Sequence, residues 1–288
     1  MTSKILKIRA LTQIHPGAGT GIGVVDMPVQ REKASGYPVI QGSSIKGVLR
    51  SVYKGNYKDE IFGPESDGDD MNKYSSAASF SDGFIFAYPV RSLKGTFAWV
   101  SCPEVFRRIN NIKKIVGDKD IFDLTKIQIS QQEIICANDI TVNNNNSNIV
   151  VLEEYDFKKK DNLDINKIIE FGKSFFSDNN DKEAFKKRFA IINDEDFAHF
   201  VRYSTEVITR IALEKDRKIT KKGALFYEEF LPAETLFYSI ITFDDSRKSQ
   251  SNIKAEDMDK DLTNNINNII QLGGDETIGK GFCEINLN

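Results

Sequence analysis

Glycine occupies every second position from Gly17 to Gly23. Residues without a Cβ lose more backbone freedom on ordering than any others, so this run suits neither a packed helix nor a packed strand. It predicts a loop whose backbone another group can approach closely. The stretch before it, Lys4 to Leu11, alternates apolar and basic residues and predicts a strand with one buried face. After it, Gly42-Ser43-Ser44-Ile45-Lys46-Gly47-Val48-Leu49-Arg50 predicts a helix start. Ser43 or Ser44 is placed to cap it, and Ile45, Val48, Leu49 and Val52 recur at helical spacing. Lys46 and Arg50 then lie one turn apart on another face, two cations beside the positive end of a helix dipole.

Further along, residues 57–76 turn to Gly, Asp, Ser and Asn and predict an exposed insertion. Residues 84–90 and 96–100 predict two aromatic-rich strands, with Pro103 opening a helix through Phe106 and Ile109. An asparagine-rich turn at 142–148, an extended run at 149–157 and helical patterns at 165–176 and 182–189 carry many charges. They predict a peripheral insertion over about 143–200. Two extended runs, 205–213 and 223–231, flank a basic segment containing Arg217 and Lys218 and predict a long hairpin. A strand over 236–243, a helix over 264–272 and a glycine-rich stretch over 273–282 lead into a last short strand. Strands and helices mix without regular βαβ alternation, so the fold class is α+β.

Charge narrows the functional classes. The 288 residues carry 39 Lys and Arg against 42 Asp and Glu, a formal net charge of −3, which excludes a uniformly positive nucleic-acid coat. Any nucleic-acid site must be local. Cys102, Cys136 and Cys283 have no C-x-x-C spacing, so neither a disulfide framework nor a cysteine zinc site is indicated. Two histidines, His15 and His199, leave little room for a histidine-built metal centre. No apolar run approaches the roughly 18 residues of a membrane helix, and Met1-Thr2-Ser3-Lys4 opens no signal-peptide pattern, so a soluble cytoplasmic protein without a membrane partner is expected.

Two motif matches fail on inspection. Gly274 followed by Gly279-Lys280 imitates a P-loop, but Gly281 has no hydroxyl for magnesium and a strand follows where a helix is required. In the N-terminal loop the third glycine of a dinucleotide fingerprint falls on Ile22, and no helix follows directly. What remains is chemistry for phosphates. The amides and hydroxyls of Gly42, Ser43 and Ser44 at a helix start, with Lys46 and Arg50, suit phosphate oxygens, as does the Gly279-Lys280-Gly281 loop. Asp26, beside the glycine-rich loop, suits a base, an orienting group or a ligand for a divalent cation at a phosphodiester. His15 is placed to serve as an acid or base or simply to pack. Glu228 and Glu229 fall on opposite faces of a strand, one expected exposed and the other paired.

Taken in order, Leu11-Thr12-Gln13-Ile14-His15-Pro16-Gly17, then Gly21 to Glu32, then Gly36-Tyr37-Pro38, then Gly42 to Arg50, resemble the RAMP superfamily of CRISPR proteins. More closely the chain resembles the repeated backbone subunit of type III-B (Cmr) RNA-guided effector complexes. Residues 223–229 and 273–282 agree, while about 57–76 and 143–200 carry little of the likeness. The resemblance implies one RAMP-type domain over 1–288, with a ferredoxin-like, RRM-related core and a projecting β-hairpin thumb at about 205–231. It implies copies stacked in a helical filament along a guide RNA with other Cmr subunits, cutting complementary target RNA at regular intervals with Mg2+ or Mn2+. Asp26 matches the cleaving aspartate and would be the metal contact. His15, Tyr227 and Glu228 match neighbouring contributors, and Gly42, Ser43, Ser44, Lys46, Arg50, Arg217, Lys218, Gly279, Lys280 and Gly281 are expected on RNA.

Two other readings stay open on the residues alone. One is the same scaffold binding RNA without cutting it. The other is a stand-alone metal-dependent phosphoesterase using Asp26 and Glu228.

Overall fold

A computed structural model describes residues 1–21, 23–65, 74–125, 127–144, 147–160, 164–213 and 220–287; side chains at 144, 147, 212–213 and 220–223 are left aside. Strand β1 (Thr2–Ala10) pairs antiparallel with the C-terminal β15 (Phe282–Asn286) on one side and with β13 (Leu236–Phe243) on the other. Beyond β15 lies the short β14 (Ile269–Gln271). Beyond β13 the sheet continues through β4 (Gly83–Arg91), β5 (Phe97–Ser101), β10 (Phe189–Ile191) and β6 (Glu133–Cys136). It ends with β9 (Tyr155–Lys159), β8 (Ser147–Leu152) and β7 (Val142–Asn144). Two short strands, β2 (Val39–Ile40) on β4 and β3 (Ala78–Phe80) on β13, bring the sheet to 13 strands. The pairs β10–β5 and β6–β9 are parallel and the others antiparallel.

Seven α-helices occur among the described residues: α1 (Gly42–Val52), α2 (Lys58–Phe62), α3 (Pro103–Ile115), α4 (Asn166–Lys173), α5 (Asn179–Arg188), α6 (Asp194–Tyr203) and α7 (Ala255–Asn264). None is long and apolar enough to cross a membrane. With the sheet they form the expected α+β architecture. The core is rich in phenylalanine. Phe86 of β4 stacks on Phe175 at 4.9 Å and on Phe189 of β10 at 6.0 Å, with Phe106 and Phe185 packed beside it. The three cysteines are free and buried.

Several expectations need correction. β1 is buried on both faces from Leu6 to Ala10, because its basic face turns inward there: Arg9 is held by Glu234 at 2.9 Å, Asp181 of α5 at 2.6 Å and Glu284 of β15 at 3.3 Å. The 143–200 stretch is not peripheral. Its β10 lies inside the sheet between β5 and β6, and its Phe175, Phe176, Phe185, Phe189, Phe197 and Phe200 are all buried. The 57–76 stretch is packed in part as well, since α2 buries Ile61 and Phe62, and Phe62 stacks on Phe80 at 5.5 Å. The helix expected over 264–272 ends at Asn264, and 269–271 form β14 instead.

Two strands stand apart from the sheet. β11 (Glu206–Leu213) and β12 (Thr220–Phe230) form a separate antiparallel ribbon, from Glu206↔Phe230 outward, and Glu228 of β12 also bridges Met27. Arg217 and Lys218, expected on RNA, lie outside the described residues.

Candidate nucleic-acid cleavage site

Three backbone segments meet where β12 ends: the loop after β1, the chain around Asp26, and the glycine-rich loop before β15. Ile14 and Leu231 exchange both backbone hydrogen bonds at 3.0 and 2.9 Å. The Met27 N–H donates to the Tyr227 carbonyl at 3.0 Å, and the Glu229 N–H donates to the Met27 carbonyl at 3.0 Å. The Gly274 N–H reaches the His15 carbonyl at 2.9 Å, and the Gly281 N–H reaches that of Gln13 at 2.8 Å. Glycine is required at this meeting point. Gly273 adopts φ +90°, and a Cβ there would stand 2.5 Å from the His15 carbonyl oxygen; a Cβ on Gly17 would stand 2.7 Å from His15 Nε2.

Asp26 is exposed, and its Oδ2 accepts the Tyr227 N–H at 2.8 Å. One carboxylate oxygen is thus fixed against the root of β12. No hydrogen bond to Oδ1 occurs among the described residues. The Tyr227 side chain is partly exposed beside this carboxylate, on the outward face of the ribbon.

His15 and Glu228 are placed differently: both are buried, at 4% and 3% exposure. His15 Nδ1 lies 2.6 Å from the Glu229 carbonyl, a contact that requires the proton on Nδ1. Its Nε2 then faces Glu228 Oε1 at 3.8 Å. Glu228 Oε2 is 3.0 Å from Arg210 Nη1, which also holds Asp275 Oδ2 at 2.8 Å. Burial pushes the Glu228 carboxyl above its ordinary pKa, and the neighbouring Asp275 adds to the rise, while His15 and Arg210 oppose it. Glu229 turns to the other face, where Arg31 Nη2 stands 2.6 Å from Oε1 and the Val29 N–H donates to Oε2 at 2.9 Å. The expectation that one of the two glutamates is exposed is therefore wrong. Their alternation is as read, but both faces of β12 are covered at its root.

The start of α1 lies close by. A cleft of about 220 Å3 runs between Gly17 and Gln30 on one side, Gln41 and Ser44 at the helix start, and Gly274. The cap differs from expectation. Gln41 is the N-cap residue, without a side-chain cap bond, and Asp82 Oδ1 accepts the Gly42 N–H at 2.7 Å, so neither Ser43 nor Ser44 caps. Ser44 lines the cleft and Ser43 is exposed. Lys46 reaches Ser76 Oγ at 3.1 Å, and its ammonium is lowered by burial and by Arg50. Arg50 turns toward α2, donating to the Gly63 carbonyl with Asp59 at 3.5 Å. Lys280 bonds Gln13 Oε1 and sits 4.9 Å over the Phe230 ring, between Gly279 and Gly281, both in the left-handed region.

The structure thus gathers Asp26, His15, Tyr227, Glu228 and Lys280 around the root of the ribbon, with Ser44 across the cleft, Gly42 buried against Phe80 and Ser81, and Lys46 turned to Ser76. It leaves Arg50 facing α2. Sequence reasoning missed Arg210 and Asp275. The signal for Arg210 lay in the hairpin register: with Ile208 opposite Glu228, Arg210 falls diagonally beside that glutamate on the same face. Among the described residues no group of three or more His, Cys, Asp and Glu side chains is placed to hold a metal.

Comparisons with known proteins agree with the resemblance read from the motifs. The sequence profile of the RAMP superfamily matches residues 7–284. The CRISPR system Cmr endoribonuclease Cmr4 of Pyrococcus furiosus is 36% identical over 296 residues, spanning 100% of this chain and 96% of that protein. The crystal structure of oligomeric Cmr4 from the same organism aligns with a TM-score of 0.74 at 31% identity, over 99% of this chain and 97% of that one. A chain in the cryo-EM structure of the type III-B Cmr-beta complex bound to cognate target RNA shares the fold, with a TM-score of 0.72 at 21% identity over 99% and 97% of the two chains. Matched from β1 to β15 and along its whole length, the chain belongs to the RAMP superfamily, in its Cmr4 branch.

Proposed function

We propose that this chain is the repeated backbone subunit of a cytoplasmic type III-B CRISPR effector, which binds guide RNA and cleaves complementary target RNA. The observation that carries the reading is Asp26: an exposed carboxylate fixed by one oxygen at the root of a free-standing ribbon, in a chain whose full-length relative is named an endoribonuclease. In this reading β11–β12 is the thumb, the sheet around β1, β13 and β4 is the ferredoxin-like core, and copies of the chain stack with the other Cmr subunits. The name of the oligomeric relative supports self-association.

The geometry suggests a division of labour. Guide phosphates sit in the cleft between the α1 start and the glycine loops, where Ser44 donates and Lys280 supplies charge, while Ser43 at the exposed helix start and Lys46, once released from Ser76, meet the backbone beside it. Contacts of this kind hold an RNA backbone without reading its sequence, which suits a guide that is read by base pairing. Cleavage requires a 2′-hydroxyl or water in line with the leaving 5′-oxygen. With Oδ2 held by the Tyr227 N–H, Asp26 presents Oδ1 to take the proton from that nucleophile. His15 and Glu228 are buried, so they act by position: with Arg210 and Asp275 they lock the ribbon root to the glycine loop.

A divalent cation fits Asp26 in one manner. Mg2+ is commonly held by one or two carboxylates together with substrate phosphates and water, and Asp26 offers one exposed carboxylate without a protein cage. Bound there, Mg2+ or Mn2+ would neutralise charge at the scissile phosphate.

The test is cleavage of end-labelled RNA by guide-loaded complex containing this chain. Regularly spaced cuts in complementary RNA, and none in unrelated RNA, are expected. Binding of the complementary strand without cuts would make the chain a scaffold, and cleavage of small phosphate esters without guide would make it a stand-alone hydrolase.

A further inference from the structure

We propose that a cleft built from Tyr155, His199 and Tyr203 binds an unpaired nucleobase of RNA, a reading that rests on the function proposed above. The cleft lies at the end of α6, immediately before the ribbon begins at Glu206. Its volume is about 440 Å3, within the range of small-ligand clefts. Three rings converge there. His199 stands 5.3 Å from Tyr155 and 4.9 Å from Tyr203, and the Tyr155 hydroxyl meets His199 Nε2 at 3.2 Å.

Single exposed aromatics on a protein surface are ordinary; this cluster is not single, and it is braced from beneath. Tyr155 packs edge-on at 5.9 Å against Phe200, which is buried in the core. The end of α6 is pinned by the Tyr88 hydroxyl, which donates to the Ser204 carbonyl at 2.8 Å. Tyr203 is nonetheless 72% exposed and Tyr155 48%. Two large rings thus stand in water on either side of His199, an arrangement that stacking of a further flat ring would complete.

The lining identifies what that ring is. Glu153 and Glu206 line the cleft; Glu153 is engaged by Arg91 at 3.1 Å, which leaves the Glu206 carboxylate as the acceptor beside the rings. A carboxylate accepts hydrogen bonds from amino groups and donates none, so it selects a base with an exocyclic amine, adenine, cytosine or guanine, over uracil. The cleft also connects to Asp26. β11 leaves it with Val207 and Thr209 turned outward, and Thr209 pairs across the ribbon with Tyr227, whose N–H holds Asp26. The cleft and Asp26 are thus linked through the first pairs of one ribbon.

The test is target affinity of guide-loaded complexes carrying wild-type chain, Tyr203→Ala or Tyr203→Phe, measured on intact target RNA and on a series with single abasic sites. Tyr203→Ala is expected to weaken binding of intact target by roughly five- to a hundredfold, with Tyr203→Phe restoring most of it. At one register of the series the abasic site should weaken the wild-type complex by a similar factor and leave the Tyr203→Ala complex unaffected. Unchanged affinity for Tyr203→Ala, or a loss equal on every abasic target, overturns the proposal while leaving the functional reading intact. Altered subunit stoichiometry in Tyr203→Ala complexes also overturns it, by assigning the cleft to a second copy of the chain. A wild-type complex that binds no complementary RNA defeats the functional reading itself.

Discussion

In β13 every residue except Thr242 is buried, and each of its edges is paired, to β1 on one side and to β4 and β3 on the other. Beyond its root, where β12 bridges Met27, the β11–β12 ribbon joins no other strand among the described residues, and it leaves Val207, Ile211 and Leu225 about half exposed. Both regions are built from β-branched and aromatic residues. In the sheet those side chains are removed from water, which stabilises the fold by roughly 25 cal/mol per Å2 of apolar surface. In the ribbon the same residue types remain accessible to a partner, and its root alone is fixed, by buried charges and backbone bonds to Met27 together with the buried Phe230. Stability and the chemistry of the site are therefore carried by different strands, and variants should separate them.

The largest stability effect should come from the phenylalanine stack. Phe86→Ala removes a ring that Phe175 and Phe189 both stack on, and a loss of about 3–5 kcal/mol in chemical denaturation is expected. A loss under about 1 kcal/mol would show that the sheet core is looser than described. Next comes the ribbon root. Glu229→Ala strands the Val29 N–H and the Arg31 guanidinium, which also serves the Val201 carbonyl at 2.7 Å, and should cost about 2–3 kcal/mol in the same assay.

The buried charges of the ribbon root respond to pH, whereas the apolar sheet core does not. The Glu228 carboxyl is raised in the folded chain, first by burial and then by Asp275, so the folded state holds its proton more tightly than the unfolded chain does. Its stabilising contribution is complete below the ordinary glutamate pKa and is lost as pH rises through the folded value. Asp275→Asn removes one cause of the rise. Its melting temperature relative to wild type should therefore improve between acid and neutral pH, and a difference that is flat with pH would refute the coupling. The smallest effect belongs to the ribbon's outward face: Leu225→Ala should change stability by no more than about 0.5 kcal/mol.

Much of this was legible in the residues themselves. The alternation of Lys4 to Leu11, the helical spacing after Gly42 and the paired extended runs around 205–231 predicted β1, α1 and the ribbon close to their observed bounds. β13 matches its expected residues at both ends. β10 was not legible, because three residues between two helices carry no period of their own; only its neighbours β5 and β6 make it a strand. The charges that made 143–200 look peripheral sit on the outer faces of α4 and α5, over a layer of phenylalanines that a charge count does not weigh. At the site, Asp26 and His15 could be picked out from their positions beside the glycine loop. Of the groups covering both faces of β12, Arg210 follows from the hairpin register, whereas Arg31 and Asp275 come from distant parts of the chain that no local pattern connects to Glu229 or to Arg210.

The central claim is that Asp26 serves the cut and not the fold or the grip on RNA. Single-turnover cleavage and target affinity should be measured together, in Mg2+, on guide-loaded complexes with wild-type chain or Asp26→Asn. The account predicts a loss of at least about a hundredfold in cleavage rate with affinity and complex assembly unchanged. Cleavage that survives Asp26→Asn at the wild-type rate would contradict it and move the chemistry to another residue or another subunit.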